Sequence, residues 1–154
     1  MKRKSVTKIT GLMFLILALV IFHPASHVGF CLPEPEEVVN GQADFVCPDA
    51  ATMHINASEK CIVNYKSFNI AENESVVINL PSVSSEMLNR VIGNKASEIL
   101  GKLSSNGVVI LVNQNGIYIG PKAQIDVASL IASTRDITNS NFMNSKYVFQ
   151  KLSP

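Results

Sequence analysis

An all-β domain of many short strands is what this sequence predicts, on three observations. Apolar runs of strand length follow one another from Val38 to the end of the chain. Turn formers separate them, most clearly at Leu80-Pro81, Ser105-Asn106-Gly107, Gln114-Asn115-Gly116 and Gly120-Pro121. A loose repeat of short apolar strand, polar turn and short apolar strand runs through the same region without any exact repetition. The 154 residues suit a single domain. With 47% hydrophobic and 16% charged residues, the composition is that of an ordered, apolar-rich chain.

At the N-terminus, Lys2, Arg3, Lys4 and Lys8 precede an apolar run from Ile9 to Phe22, broken only by Thr10 and Gly11. His23-Pro24-Ala25-Ser26 then supplies small residues, completing the pattern of a secretory signal peptide over residues 1–29. The run is shorter than the roughly 20 apolar residues that span a bilayer, so cleavage is preferred over an uncleaved anchor. Residues 30–37 read as a spacer, because Leu32-Pro33-Glu34-Pro35-Glu36-Glu37 suits neither a helix nor a sheet interior.

The strand candidates then come in order. Val38-Val39 leads into the turn-like Asn40-Gly41, and Thr52-Met53-His54-Ile55-Asn56 alternates. Cys61-Ile62-Val63-Asn64-Tyr65 is apolar and β-branched, Phe68-Asn69-Ile70 alternates again, and Ser75 to Leu80 is rich in Val and Ile. Val108 to Val112, Ile117-Tyr118-Ile119, Ile125-Asp126-Val127 and Leu130-Ile131-Ala132 follow. Ser84 to Leu103 is ambiguous, since Met87, Leu88, Val91, Ile99 and Leu100 could line an amphipathic helix. Gly93 and Asn94 interrupt it, which favours a strand around Leu88–Ile92 and a short helical turn near Ser97–Gly101. Periodicity alone leaves a coiled stack of parallel sheets, a β-sandwich and a jelly roll all open.

Export puts the cysteines in an oxidising compartment. Cys47 and Cys61 are the candidate disulfide, closing a loop that would add about 3 kcal/mol of stability, with Cys31 left over. The net charge is only +1 and much of the positive charge precedes residue 10, so a nucleic-acid partner is not supported. There is no Cys-x-x-Cys, and the three His are scattered, so neither a metal nor a cofactor is expected.

Several stretches, taken in order, resemble the secretion domain at the head of filamentous-haemagglutinin-type, two-partner-secreted exoproteins. Val38-Val39-Asn40-Gly41-Gln42-Ala43 is similar to the family's opening strand, and Cys61 to Ile70 to a segment ending in Ser-Phe-Asn-Ile. Leu88-Asn89-Arg90-Val91-Ile92-Gly93 and Ile99-Leu100-Gly101-Lys102-Leu103-Ser104-Ser105-Asn106-Gly107 resemble the next two elements. Val112 to Pro121 resembles the signature turn, and Leu130-Ile131-Ala132-Ser133-Thr134-Arg135-Asp136-Ile137 closes the match. The pieces are common one by one, but the ordered set over residues 38–145 is specific.

This resemblance implies a right-handed parallel β-helix with short capping and extra-helical strands. It also implies a role in secretion recognition, with a cognate outer-membrane β-barrel transporter as partner and the Sec machinery upstream. The protein would pass through the periplasm and end outside the cell or on its surface, where a host or neighbouring cell is a further partner. Asn113, Gln114, Asn115 and Gly116 are the expected recognition turn, chiefly a structural element with a share in recognition. Asn89, Arg90, Val91, Phe68 and Asn69 form a second motif, read as a polar pair at a coil corner beside core and turn residues. The family's turn usually has Pro where Gln114 stands here, and often Trp where Tyr65 stands; a type I turn accepts Gln at its second position.

Residues 146–154 read as the truncated end of a longer solenoid. The rival readings are a short surface adhesin or structural β-protein, and a non-functional fragment of a longer haemagglutinin-like gene. An enzyme is not expected. Some β-helix enzymes use carboxylates and a base, for which Asp126, Arg135 and Asp136 are the nearest candidates, but these lie in a stretch matched by a non-enzymatic family.

Overall fold

The computed structural model describes residues 32–151; the leader expected over residues 1–29 lies outside them, as does Cys31. The chain winds into a right-handed parallel β-helix of about four coils. One face stacks β3 (Thr52–Ala57), β5 (Ser75–Asn79), the first part of β8 (Lys102–Asn113) and the first part of β10 (Gln124–Ser133). In parallel register, Met53 lies beside Val76, Val76 beside Leu103 and Leu103 beside Ile125.

The second face stacks β4 (Cys61–Ser67), β6 (Glu86–Val91) and the later parts of β8 and β10. Cys61 lies beside Met87, Met87 beside Val109 and Val109 beside Leu130. The third face is short: Ile70 bridges Ile99 of β7 (Ser97–Ile99), which pairs with Ile119 of β9 (Ile117–Ile119). Strands one coil apart pair in parallel, and only a crossover around the coil allows that. A sandwich or jelly roll would have paired them antiparallel.

Inward-pointing side chains make one apolar stack. Ile55, Val63, Tyr65, Phe68, Ile70, Ile78, Met87 and Val109 are all fully buried in it. Because strand side chains alternate, the outward residues of the second face form their own column, Ile62, Leu88, Ile110 and Ile131. That column is covered by Ile137, Phe142 and Phe149 of the C-terminal segment. A short helix, α1 (Asn139–Met143), brings Phe142 there and is capped by the Thr138 hydroxyl, which accepts from the Asn141 amide at 3.1 Å. Gln150 then bridges back to Asp136. Among the described residues, no helix is long and apolar enough to cross a membrane.

Three expectations are corrected. The stretch read as a spacer begins β1 (Glu34–Asn40), which pairs antiparallel with β4. It is an edge strand with register shifts on either side of Pro35, the setting in which a sheet tolerates proline. Its companion β2 (Ala43–Asp49) pairs antiparallel with β3, and the two cap the first coil.

The helical turn expected near Ser97–Gly101 is strand β7. Its backbone groups bond across coils, Ser97 N–H to the Gly116 carbonyl at 3.0 Å and Leu100 N–H to the Ile70 carbonyl at 2.7 Å.

Cys47 and Cys61 are not joined. Cys47 is exposed near the end of β2, beside the start of β3, whereas Cys61 is buried at the start of β4, after β3 has ended. Met53 to Ala57 of β3 alone spans about 13 Å, well beyond the roughly 7 Å between α-carbons that a disulfide bridges.

Candidate functional site

Asn113 to Gly116 is a tight turn at the end of β8. The Gly116 N–H donates to the Asn113 carbonyl at 3.1 Å, the closing bond of a four-residue turn. Asn113 itself is buried and spans two coils. Its Nδ2 donates to the Lys95 carbonyl and to Ser97 Oγ, each at 3.0 Å, and its Oδ1 accepts from the Asn115 amide at 2.9 Å. Asn115 reaches back in turn, with Nδ2 donating to the Gly93 carbonyl at 2.8 Å. Gly116 has φ of +121°, a backbone that L side chains avoid, although the nearest atom to an added Cβ, that of Ala96, would be 3.5 Å away. The constraint there is conformational, not steric. Gly93 is the reverse case: an added Cβ would run into the Lys66 carbonyl oxygen. Gln114 and Asn115 are exposed, so the turn offers solvent these two side chains while its first residue holds the coils together.

The second motif does not form a site with the first. Asn89 and Arg90 are neighbours in the middle of β6, not at a coil corner, and they point to opposite faces. Asn89 points inward, where its Oδ1 accepts from the Tyr65 hydroxyl at 3.0 Å and its Nδ2 donates to the Ile110 carbonyl at 3.3 Å. Burial pushes the Tyr65 phenol well above its usual pKa, so it stays a donor. Tyr65 also meets Phe68 edge-on, with ring centres 5.2 Å apart. Val91 and Phe68 are buried, and Asn69 accepts the Glu98 amide at 2.9 Å.

Arg90 points outward and anchors the C-terminal segment. Its Nε meets Asp136 Oδ1 at 2.8 Å, and its Nη2 donates to the Ile137 carbonyl at 2.7 Å. A second anchor lies at the start of the same strand, at Glu86. Lys60 Nζ is 2.6 Å from Glu86 Oε2 and 2.9 Å from Ser145 Oγ, and 5.0 Å from the centre of the Phe142 ring. Tyr147 completes it by donating to Glu86. Neither anchor is legible in the sequence: Asp136 stands out there only as an acidic residue of the last matched stretch, and Lys60 not at all. Lys60 and Glu86 are 26 residues apart and Arg90 and Asp136 are 46 apart, separations at which no local pattern marks a pair. Asn106 is a third unforeseen link, donating to and accepting from the Leu80 backbone at 2.7 Å each.

A family model described as TPS secretion domain matches residues 31–153. A heme/hemopexin-binding protein of Haemophilus influenzae is 33% identical over 141 residues, covering 88% of this chain and 15% of that protein. The corresponding protein of H. influenzae strain Rd is 39% identical over 107 residues, covering 69% of this chain and 12% of that one. The chain thus spans only a small part of the curated relatives it matches. The crystal structure of the HMW1 secretion domain from H. influenzae superposes with a TM-score of 0.75 at 38% identity, covering 78% of this chain and 32% of that one. Coil register, turn geometry and these similarities agree: the chain belongs to the TPS secretion domain family.

Proposed function

We propose that this chain carries the address by which an exported exoprotein is handed to its cognate outer-membrane β-barrel transporter. Residues 1–29 act as the leader for the Sec machinery, and the solenoid is read in the periplasm before translocation to the outside or the cell surface. Two strand edges that are open among the described residues support this reading, those of β1 and β2 at the ends of the main sheet. Unpaired edges are what an incoming strand adds to, the β-augmentation mode of recognition. The Asn113–Gly116 turn lies at the coil surface and contributes Gln114 and Asn115 as the side chains within a partner's reach. Once outside, stacked coils template the folding of further coils, since each buries its face on its neighbour.

The single observation that carries the proposal is a TPS-family solenoid whose β1 and β2 edges are open among the described residues. Expression with and without a co-expressed two-partner transporter tests it. The chain is expected in the medium only with the transporter; retention in the periplasm with the transporter present would overturn it.

A further inference from the structure

Two shallow cavities meet on the outer side of the first face, near the corner where it turns into the second. One, of about 430 Å³, is lined by Asp44, Asn56 and Asn79 together with Ala43, Ala57 and Pro81. The other, of about 290 Å³, is lined by Asn79, Ser104, Ser105, Asn106 and Asp126. Asn79 belongs to both, so they form one groove that crosses β2, β3, β5, β8 and β10. Adjacent strands lie about 4.8 Å apart, which makes the groove about 19 Å long from Asp44 to Asp126.

The pleat makes this groove polar. Along β3 and β5 the side chains alternate, so Ile55 and Ile78 go to the core while Asn56 and Asn79 go outside. Parallel register sets the two amides side by side, and antiparallel register sets Asp44 beside Asn56. Asn79 Nδ2 donates to Asn56 Oδ1 at 2.9 Å. Among the described residues, that bond leaves the donors of Asn56 Nδ2 and the acceptor Asn79 Oδ1 unused. Two strands further on, Ser104 lies beside Asp126. Neither Asp44 nor Asp126 forms an ion pair among the described residues.

We infer that this groove binds a neutral, extended glycan lying along the solenoid axis. Amides, hydroxyls and carboxylates in a row suit sugar hydroxyls, each of which both gives and takes hydrogen bonds. They recur at the strand spacing, close to the step by which a straight pyranose chain advances. Ala43, Ala57 and Pro81 supply apolar surface for the C–H faces of the rings. The two unneutralised carboxylates set the groove against sulfated, phosphorylated and sialylated chains. A peptide strand fits less well, because the floor is a sheet face whose backbone groups are already paired, not an edge that offers a ladder. The inference does not rest on the transporter reading, which concerns strand edges and the Asn113–Gly116 turn.

Isothermal titration of the full chain with tetrasaccharides tests it. The β1,4-linked tetramers of glucose and of N-acetylglucosamine are expected to bind saturably with Kd below about 1 mM, and a sulfated glucose tetramer is expected not to bind. Asn56→Ala and Asn79→Ala should each weaken binding about tenfold through lost hydrogen bonds to the sugar. Both residues are exposed, so Tm should stay within about 2 °C of wild type and lost binding would not reflect lost fold. Asp44→Asn combined with Asp126→Asn keeps an acceptor at each end and should change affinity less than about threefold. No binding of either neutral tetramer, equal or tighter binding of the sulfated one, or wild-type affinity in Asn79→Ala would each overturn the inference. A loss of about tenfold or more in the double Asp variant would overturn it too, since the groove would then read charge, as a basic peptide requires.

Discussion

Replacing Asn113 by Ala tests whether the signature turn is built from within or read from without. The three shortest hydrogen bonds of the buried Asn113 side chain run to the Lys95 carbonyl, Ser97 Oγ and the Asn115 backbone amide. Each is worth about 1 kcal/mol net, and a partner left buried and unpaired costs about 1–3 kcal/mol. Ser97 can turn its hydroxyl elsewhere and Asn115 is near solvent, so the Lys95 carbonyl carries most of the penalty. The sum is about 3 kcal/mol, or a fall in Tm of about 10 °C for a domain of this size. Thermal melts by circular dichroism measure it, with transporter-dependent secretion assayed alongside at a temperature where the variant is folded. Asn113→Asp should be at least as harmful, because it keeps the acceptor for Asn115 but sets a carboxylate against the Lys95 carbonyl oxygen. A Tm within about 2 °C of wild type for Asn113→Ala would refute the reasoning. So would lost secretion at unchanged stability, which would mean that a partner reads the side chain directly.

Arg90→Met should cost about 3–5 kcal/mol, because it leaves the Asp136 carboxylate, 7% exposed, buried without its partner. Limited proteolysis would then cut within residues 139–150 while the coils stay protected, and uniform cleavage throughout would count against a detachable segment. Gln114→Pro should stabilise by about 0.4–1 kcal/mol, since Pro suits the second position of a type I turn and Gln114 is exposed there; a lower denaturation midpoint would contradict the turn assignment. Asn115→Pro and Gly116→Val should both lower secretion, the first by removing the amide bonded to Asn113, the second by forcing a β-branched residue to φ of +121°; wild-type secretion of both would remove the turn from the recognition element. Burial raises the Cys61 thiol from 9.0 to about 11. The unfolded chain therefore ionises first, and this contribution is complete below about pH 9 and lost as pH rises through about 11, at most about 3 kcal/mol. Urea melts of wild type and Cys61→Val at pH 8 and pH 11 would show it as a smaller loss in the variant, and equal losses would exclude it.

The strand positions were largely legible in the sequence because each short apolar run had a turn former on either side. Leu88–Ile92 and Val108–Val112 fell where β6 and β8 are found. The turn at Asn113 to Gly116 was legible for the same reason, since Asn and Gly carry local conformational preferences that need no partner. What tertiary structure decided were the questions that depend on what lies one coil away. Ser97–Ile99 is a strand because the Gly116 carbonyl receives the Ser97 amide and the Ile70 amide donates to the Glu98 carbonyl, not because of its own composition. Glu34-Pro35-Glu36-Glu37 is strand because β4 had an edge to offer.

The division of labour inside the motifs was equally hidden. Asn89 and Arg90 look like a pair in the sequence, yet the pleat sends one to Tyr65 in the core and the other to Asp136 outside. Cys47 and Cys61 look like a loop-closing pair, yet the length of β3 keeps them apart. Local preference is written residue by residue and can be read in order. Pairing across coils depends on register between segments distant in the chain, and that register emerges only when the coils have stacked.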